Sequence, residues 1–155
     1  MRYALIAALA LCAVATQALG QQSTFKRKIP CKTPEIAPSC YWTRGRITCC
    51  NGNPTMRMWK VGTKRILGIF SGPNAWRYDL EDSLHPELPA NLSRAYEAEY
   101  KHRVTMKDPD AGDTEPVFGN FEVCPLERGR PGWMQSVCIE SAKNIFFQKL
   151  EPAHR

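Results

Sequence analysis

GRITCCNGNPTMRMWKVGTKRILGIF, residues 45–70, is a run of strand-like segments broken by Asn51-Gly52-Asn53-Pro54 and by Gly62. Tyr41–Cys49 has the β-branched and aromatic content of a strand, and Asn51-Gly52 is a strong hairpin signal. In Thr55–Val61, Met56 and Met58 share one face while Arg57, Trp59 and Val61 share the other. Gly62-Thr63 turns the chain into Lys64–Phe70, where Ile66 and Phe70 face one way and Leu67 and Ile69 the other. Apolar side chains on both faces place these strands well inside a sheet, so a three-strand meander is expected at the centre of the fold. Trp59 is expected as a core anchor within it; exposed beside Arg57 and Lys60, it would instead be a recognition platform.

Towards the C-terminus, Val117–Cys124 alternates with Val117, Phe121 and Val123 on one face. Met134–Ile139 and Ile145–Leu150 read as two further strands separated by a turn at Ser141–Asn144. Between the two halves, Ser71–Pro89 is loop-rich and Ala90–Tyr100 is the best helical stretch, with Asn91 or Ser93 as cap. Asn91-Leu92-Ser93 also matches the N-glycosylation acceptor. Lys101–Met106 reads as another short strand, and Lys107–Pro116 as an acidic surface turn rather than a calcium loop, because Gly112, Asp113 and Gly119 stand where that loop needs other residues. The expected class is mainly β, an antiparallel β-sandwich or partly open barrel with one short helix, formed by a single domain over 39–151 with a disordered tail at 152–155.

Residues 1–20 have the positive start, the apolar run and the small residues before Gln21 that describe a secretory signal peptide cut after Gly20. No later segment is long and apolar enough to span a membrane. The mature chain is therefore expected to be periplasmic or secreted, beginning with an extended basic arm over 21–38. Cleavage removes Cys12 and leaves Cys31, Cys40, Cys49, Cys50, Cys124 and Cys138. In an oxidising compartment these read as disulfides, and the close ligand pairs of a zinc site are missing. Cys124–Cys138 is the first expected bridge, because the two fall on consecutive strands. Cys49 and Cys50 point to opposite faces of a strand and so most naturally bridge to separate partners, with Cys31 and Cys40 as candidates; a direct ring between the neighbours is strained and, if formed, would be a redox feature.

Charge is segregated. Residues 26–78 carry eleven Lys/Arg against one acid, and residues 79–127 carry four against twelve. Mutual neutralisation of the two segments is the expectation; a dedicated anion-binding face is the alternative. The net charge of +6 is too small to argue for a nucleic-acid partner.

His85, His102 and His154 stand outside any recognisable catalytic motif, and neither a cofactor nor a metal is implied. The reading is a non-catalytic binding domain whose partner is a protein, a glycan or an envelope component, met by Arg57, Lys60, Lys64 and Arg65. Two alternatives stay open: a hydrolase using Asp/Glu with His85 or His102, and a carrier of a small apolar ligand lined by Met56, Met58, Phe121 or Phe146.

Residues 45–70, with FGNFEVCPLERGRPGWMQSVCIESAKNI at 118–145, resemble small exported proteobacterial proteins of unassigned function. The opening G-R-I…N-G-x-P hairpin is in addition similar to transthyretin-like and carboxypeptidase-regulatory-like modules, which implies a β-sandwich and no particular activity.

Overall fold

The computed structural model describes residues 27–49, 52–73, 75, 80–111 and 116–148. The expected signal peptide, the start of the arm, Cys50, His154 and the tail at 152–155 lie outside them. Five strands form a closed barrel: β1 (Tyr41–Cys49), β2 (Met56–Lys60), β3 (Ile66–Ile69), β4 (Val117–Pro125) and β5 (Gln135–Phe147). Two helices, α1 (Leu80–Leu84) and α2 (Ala90–Thr105), lie between β3 and β4. Of the two expected architectures the barrel is the one formed, and it closes fully in the order β1-β2-β3-β5-β4. Nor is it wholly antiparallel. β3 and β5 run parallel, with Leu67 opposite Gln135 and Ile69 opposite Val137, because the long helical crossover returns the chain to the far side of the meander before β4 and β5 form.

The expected meander is present, with Ile47, Met58 and Leu67 aligned across β1, β2 and β3 and all three fully buried. That alignment corrects Trp59. Once Met58 takes the interior position its neighbour must point outwards, and Trp59 is half exposed, its indole N–H donating to the Thr63 carbonyl at 2.6 Å. Ile66, opposite Trp59, is likewise outside. Met58, Phe121, Ile47, Leu67, Ile69, Val117, Val123, Val137 and Ile139 fill the interior, where each buried side chain of this size contributes about 1.5–3 kcal/mol. A side chain at Gly45 would run into Met58 Sδ and Cγ, so the close packing of the two strands' interior favours glycine there. Met58 and Phe121, two of the residues expected to line an apolar cavity, are thus packing residues, and Phe146 points outwards.

The turn expected at Ser141–Asn144 is absent. β5 is one strand of thirteen residues along β4, with register shifts between Phe118 and Asn120 and between Glu122 and Val123. Asn144 does adopt a positive φ of 53°, but the irregularity is absorbed as a bulge opposite Gly119 and not as a chain reversal.

α2 is longer than expected and takes in Lys101–Thr105, so no strand forms there. The Glu97–Lys101 pair at 2.6 Å and the absence of Gly or Pro carry the helix on, outweighing the β-branched Val104 and Thr105. It ends where Arg103 Nε donates to Asp108 Oδ2 at 2.7 Å and the Asp108 amide donates back to the Arg103 carbonyl. Leu92 and Tyr96, one turn apart, seat the helix on the barrel, with Tyr96 edge-on to Phe147 at 5.2 Å. No side chain caps its start. Asn91 instead donates from Nδ2 to the Ala142 carbonyl of β5, and Leu92 beside it is fully buried.

The arm is part of the fold. Disulfides join Cys31 to Cys138 and Cys40 to Cys124, which replaces the expected Cys124–Cys138 bridge. Those two cysteines do stand opposite each other in the ladder, but both face outwards into a separate cluster with Cys31, where the arm covers them. Cys49 is disulfide-bonded as well, but Cys31 and Cys40, the candidates expected for it and Cys50, are taken by β5 and β4. Arg27 donates to the carbonyls of Ile29, Ile139 and Ser71. Its burial lowers the guanidinium pKa, and Glu140, Glu87 and Asp82 oppose that shift.

Candidate functional site

A groove of about 370 Å³ opens on the outer wall of the meander. Arg57 of β2 and Lys64, Arg65, Ile66 and Leu67 at the start of β3 form one side. Residues 130–134 of the β4–β5 loop and Gln135 at the start of β5 form the other. The parallel β3–β5 pairing creates the groove, because it brings the loop before β5 alongside the start of β3.

Local hydrogen bonds hold both sides in place. The β2–β3 turn has Gly62 at φ 81°, with Thr63 Oγ1 donating to the Lys60 carbonyl and accepting from the Arg65 amide. Arg57 Nε donates to the Pro54 carbonyl at 3.2 Å, which orients its guanidinium. On the loop side, Gln135 Nε2 donates to the Glu127 carbonyl, and the Glu127 carboxylate accepts from the amide and hydroxyl of Ser136. The loop's only acid is therefore turned towards β5. Trp133, three-quarters exposed, projects from the loop beside Gly132, whose φ is 77°.

The expected mutual neutralisation is met by the arm, where Lys32 pairs with Glu122 and Arg27 lies near Glu87 and Asp82, but not by the meander. Among the described residues the ion pairs between permanently charged side chains are Lys32–Glu122, Lys101–Glu97 and Arg103–Asp108, and none involves the meander. The acids next to the barrel are taken by the arm. Glu87 accepts from the amides of Lys28 and Ile29, Glu140 from the amide of Lys32, and Glu122 from Lys32 Nζ at 2.6 Å. Arg57, Lys64, Arg65 and Arg130 line the groove without an ion-pair partner among the described residues.

Three of the four residues singled out in the sequence, Arg57, Lys64 and Arg65, share this groove. Lys60 is not among the lining residues; it lies on the interior parity of β2 at the barrel rim, with Nζ 5.1 Å over the Tyr41 ring. Sequence reading passed over Arg130 and Trp133. Their signal was a tryptophan following Gly-Arg-Pro-Gly in a segment read only as a turn. His85 is exposed just past the end of α1, His102 is exposed on α2, and neither lines the groove. No cluster of His, Cys, Asp or Glu able to hold a metal occurs among the described residues.

Fold and groove together define a small disulfide-stapled β-barrel domain with a cationic, tryptophan-flanked groove. No protein-family model, curated protein or solved structure matches the chain. The disulfides fit an oxidising compartment, and among the described residues no helix is long and apolar enough to cross a membrane.

Proposed function

We propose that this chain is an exported, non-catalytic binding domain that holds an anionic glycan or other anionic envelope component in the β2–β3 groove. The observation that carries the reading is the groove's charge: Arg57, Lys64, Arg65 and Arg130 converge on one concavity, and none of them has an ion-pair partner among the described residues. Uncompensated cations gathered in a concave site attract an anion more strongly than the same charges spread over a convex surface. Arginine supplies the planar fork that suits carboxylate, sulfate and phosphate, and an exposed tryptophan offers an apolar platform for a sugar ring. The barrel's design points the same way. A five-stranded Greek-key barrel that presents strands β2–β3 and the adjoining loops is the arrangement of OB-folds, which bind oligosaccharides and oligonucleotides there. The apparent signal peptide, the disulfides and the resemblance to exported proteobacterial proteins favour the glycan over the nucleic acid.

The test is calorimetric titration of the mature chain with oligogalacturonate, a uronic-acid polymer, against neutral malto-oligosaccharide of equal length. Binding of the acidic chain alone is expected, weakened at least tenfold in Arg57→Glu/Arg65→Glu and in Arg130→Glu, and by added salt. Equal affinity for both sugars, or no effect of charge reversal, would sink the reading.

A further inference from the structure

A second face stands apart from the groove, on the barrel wall built by β1, β4 and β5. Its outward positions fall into three rows fixed by strand register. Trp42 lies opposite Glu122 and Glu122 opposite Ser141; Arg44 opposite Asn120 and Asn120 opposite Lys143; Arg46 opposite Phe118 and Phe118 opposite Phe146. The grid spans about 10 Å across the strands and about 13 Å along them. Trp42 and Phe146 are about half exposed, a large apolar area to leave on a wall whose inner side already supplies the core.

Cations and rings interleave across this wall. Lys143 Nζ sits 4.4 Å above the Trp42 ring, Arg46 lies 5.9 Å over Phe118, and Phe118 stacks on Phe146 with centroids 5.2 Å apart. The one carboxylate in the grid, Glu122, is held by Lys32 of the arm at 2.6 Å. The wall therefore presents three cations, aromatic rings and no unpaired acid.

We propose that this wall is a peripheral membrane-docking surface for a bilayer carrying anionic headgroups. Charge complementarity selects an anionic partner, and shape selects a deformable one. A barrel wall is convex, so it gives a small ligand no second side to bury against, whereas headgroups rearrange around a convex protrusion. The ring–cation pairs suit that boundary. Tryptophan and phenylalanine enter at headgroup depth while the cation stacked on each stays level with the phosphates. Each basic residue adds to adsorption on an anionic surface, and the apolar rings add what charge alone does not.

The experiment is co-sedimentation of the mature chain with vesicles of phosphatidylglycerol and phosphatidylcholine in equal parts, against phosphatidylcholine alone. Partition onto the anionic vesicles is expected. It should fall at least a hundredfold in Arg44→Glu/Arg46→Glu/Lys143→Glu, about fivefold for each basic residue lost and more for its reversal. The neutral Trp42→Ala/Phe146→Ala variant should also lose binding, with thermal melts confirming that both variants fold. In a chain whose other three tryptophans are changed to Phe, brominated lipid should quench Trp42. Arg65→Glu/Arg130→Glu tests the rival surface. If that groove variant loses vesicle binding while the wall variants keep it, the proposal is overturned. No partition of the native chain onto anionic vesicles would overturn it too.

Discussion

Cys124 and Cys138 stand directly opposite one another on β4 and β5, yet each is bridged away from the other, Cys124 to Cys40 just before β1 and Cys138 to Cys31 of the arm. The ladder already holds the two strands together, so a bridge between them would close only a short loop. The bridges actually made close separations of 84 and 107 residues and restrain the unfolded chain more strongly. Cys31→Ser/Cys138→Ser is expected to cost about 2–5 kcal/mol in urea denaturation and to make the arm susceptible to trypsin. A loss below about 1 kcal/mol with the arm still protected would show that Arg27 and the glutamate contacts suffice to hold it.

Gly72 and Gly68 are places where two segments meet too closely for a side chain. A Cβ at Gly72 would lie 2.5 Å from the Pro30 carbonyl oxygen, and one at Gly68 would lie 2.8 Å from Pro54 Cγ. Gly72→Ala should displace the arm and expose the Arg27 region to protease while leaving the barrel folded. Gly68→Ala should act on the sheet and lower stability by about 1–3 kcal/mol through overpacking. Thermal melts combined with limited proteolysis separate the two outcomes; equal protease resistance in both variants would contradict the assignment of Gly72 to arm docking.

What could be read from the sequence was local. Alternation of period two placed Met58, Leu67, Ile69, Phe121 and Val123 on the correct faces relative to their neighbours. Which face was the interior could not be read at Trp59, because both faces of β2 carry large apolar groups and only pairing with Ile47 and Leu67 decides. Ser141 and Asn144 have turn chemistry, but a long antiparallel partner converts that chemistry into bulges. The groove was half legible. Arg57, Lys64 and Arg65 were visible in one basic run, whereas Arg130 and Trp133 join them only through the parallel β3–β5 pairing, a contact between distant parts of the chain.

Tyr96 buries its hydroxyl beside Phe147 without a hydrogen-bond partner among the described residues, and that burial raises the phenol pKa well above its usual value. An unsatisfied buried polar group costs about 1–3 kcal/mol, so Tyr96→Phe should be neutral or stabilising, by up to about 1–2 kcal/mol. The edge contact with Phe147 survives the change. A loss of stability in chemical denaturation would mean that the hydroxyl has a partner in solution.

Asp108 links acidity to the end of α2. The hydrogen bond from Arg103, followed by that from the Asp110 amide, lowers its carboxyl pKa below the ordinary aspartate value. A depressed folded-state pKa contributes stability above the unfolded value, near 4, and that contribution is lost as pH falls through the folded value. Loosening of 103–111 is therefore expected only below about pH 4. Asp108→Asn should remove the pH dependence and leave the last turn frayed at neutral pH, as read by amide exchange. An Asp108 carboxyl titrating above pH 4 by NMR would reverse the sign and refute the link.

Asn91 carries an acceptor triplet that the fold withdraws from modification. Its side-chain amide donates to the Ala142 carbonyl and its Oδ1 accepts from the Leu92 amide, while Leu92 is fully buried in the barrel core. Enzymatic transfer of a glycan needs an extended, accessible Asn-x-Ser segment, and here the triplet opens a helix packed on β5. A chain made in a eukaryotic secretory host should be recovered with Asn91 bare, as read by mass spectrometry of the peptide. Asn91→Ala should cost about 1–2 kcal/mol, because it leaves the Ala142 carbonyl without its donor between helix and sheet. A glycan found on Asn91 in folded, disulfide-intact protein would mean that α2 undocks, or is modified before it docks.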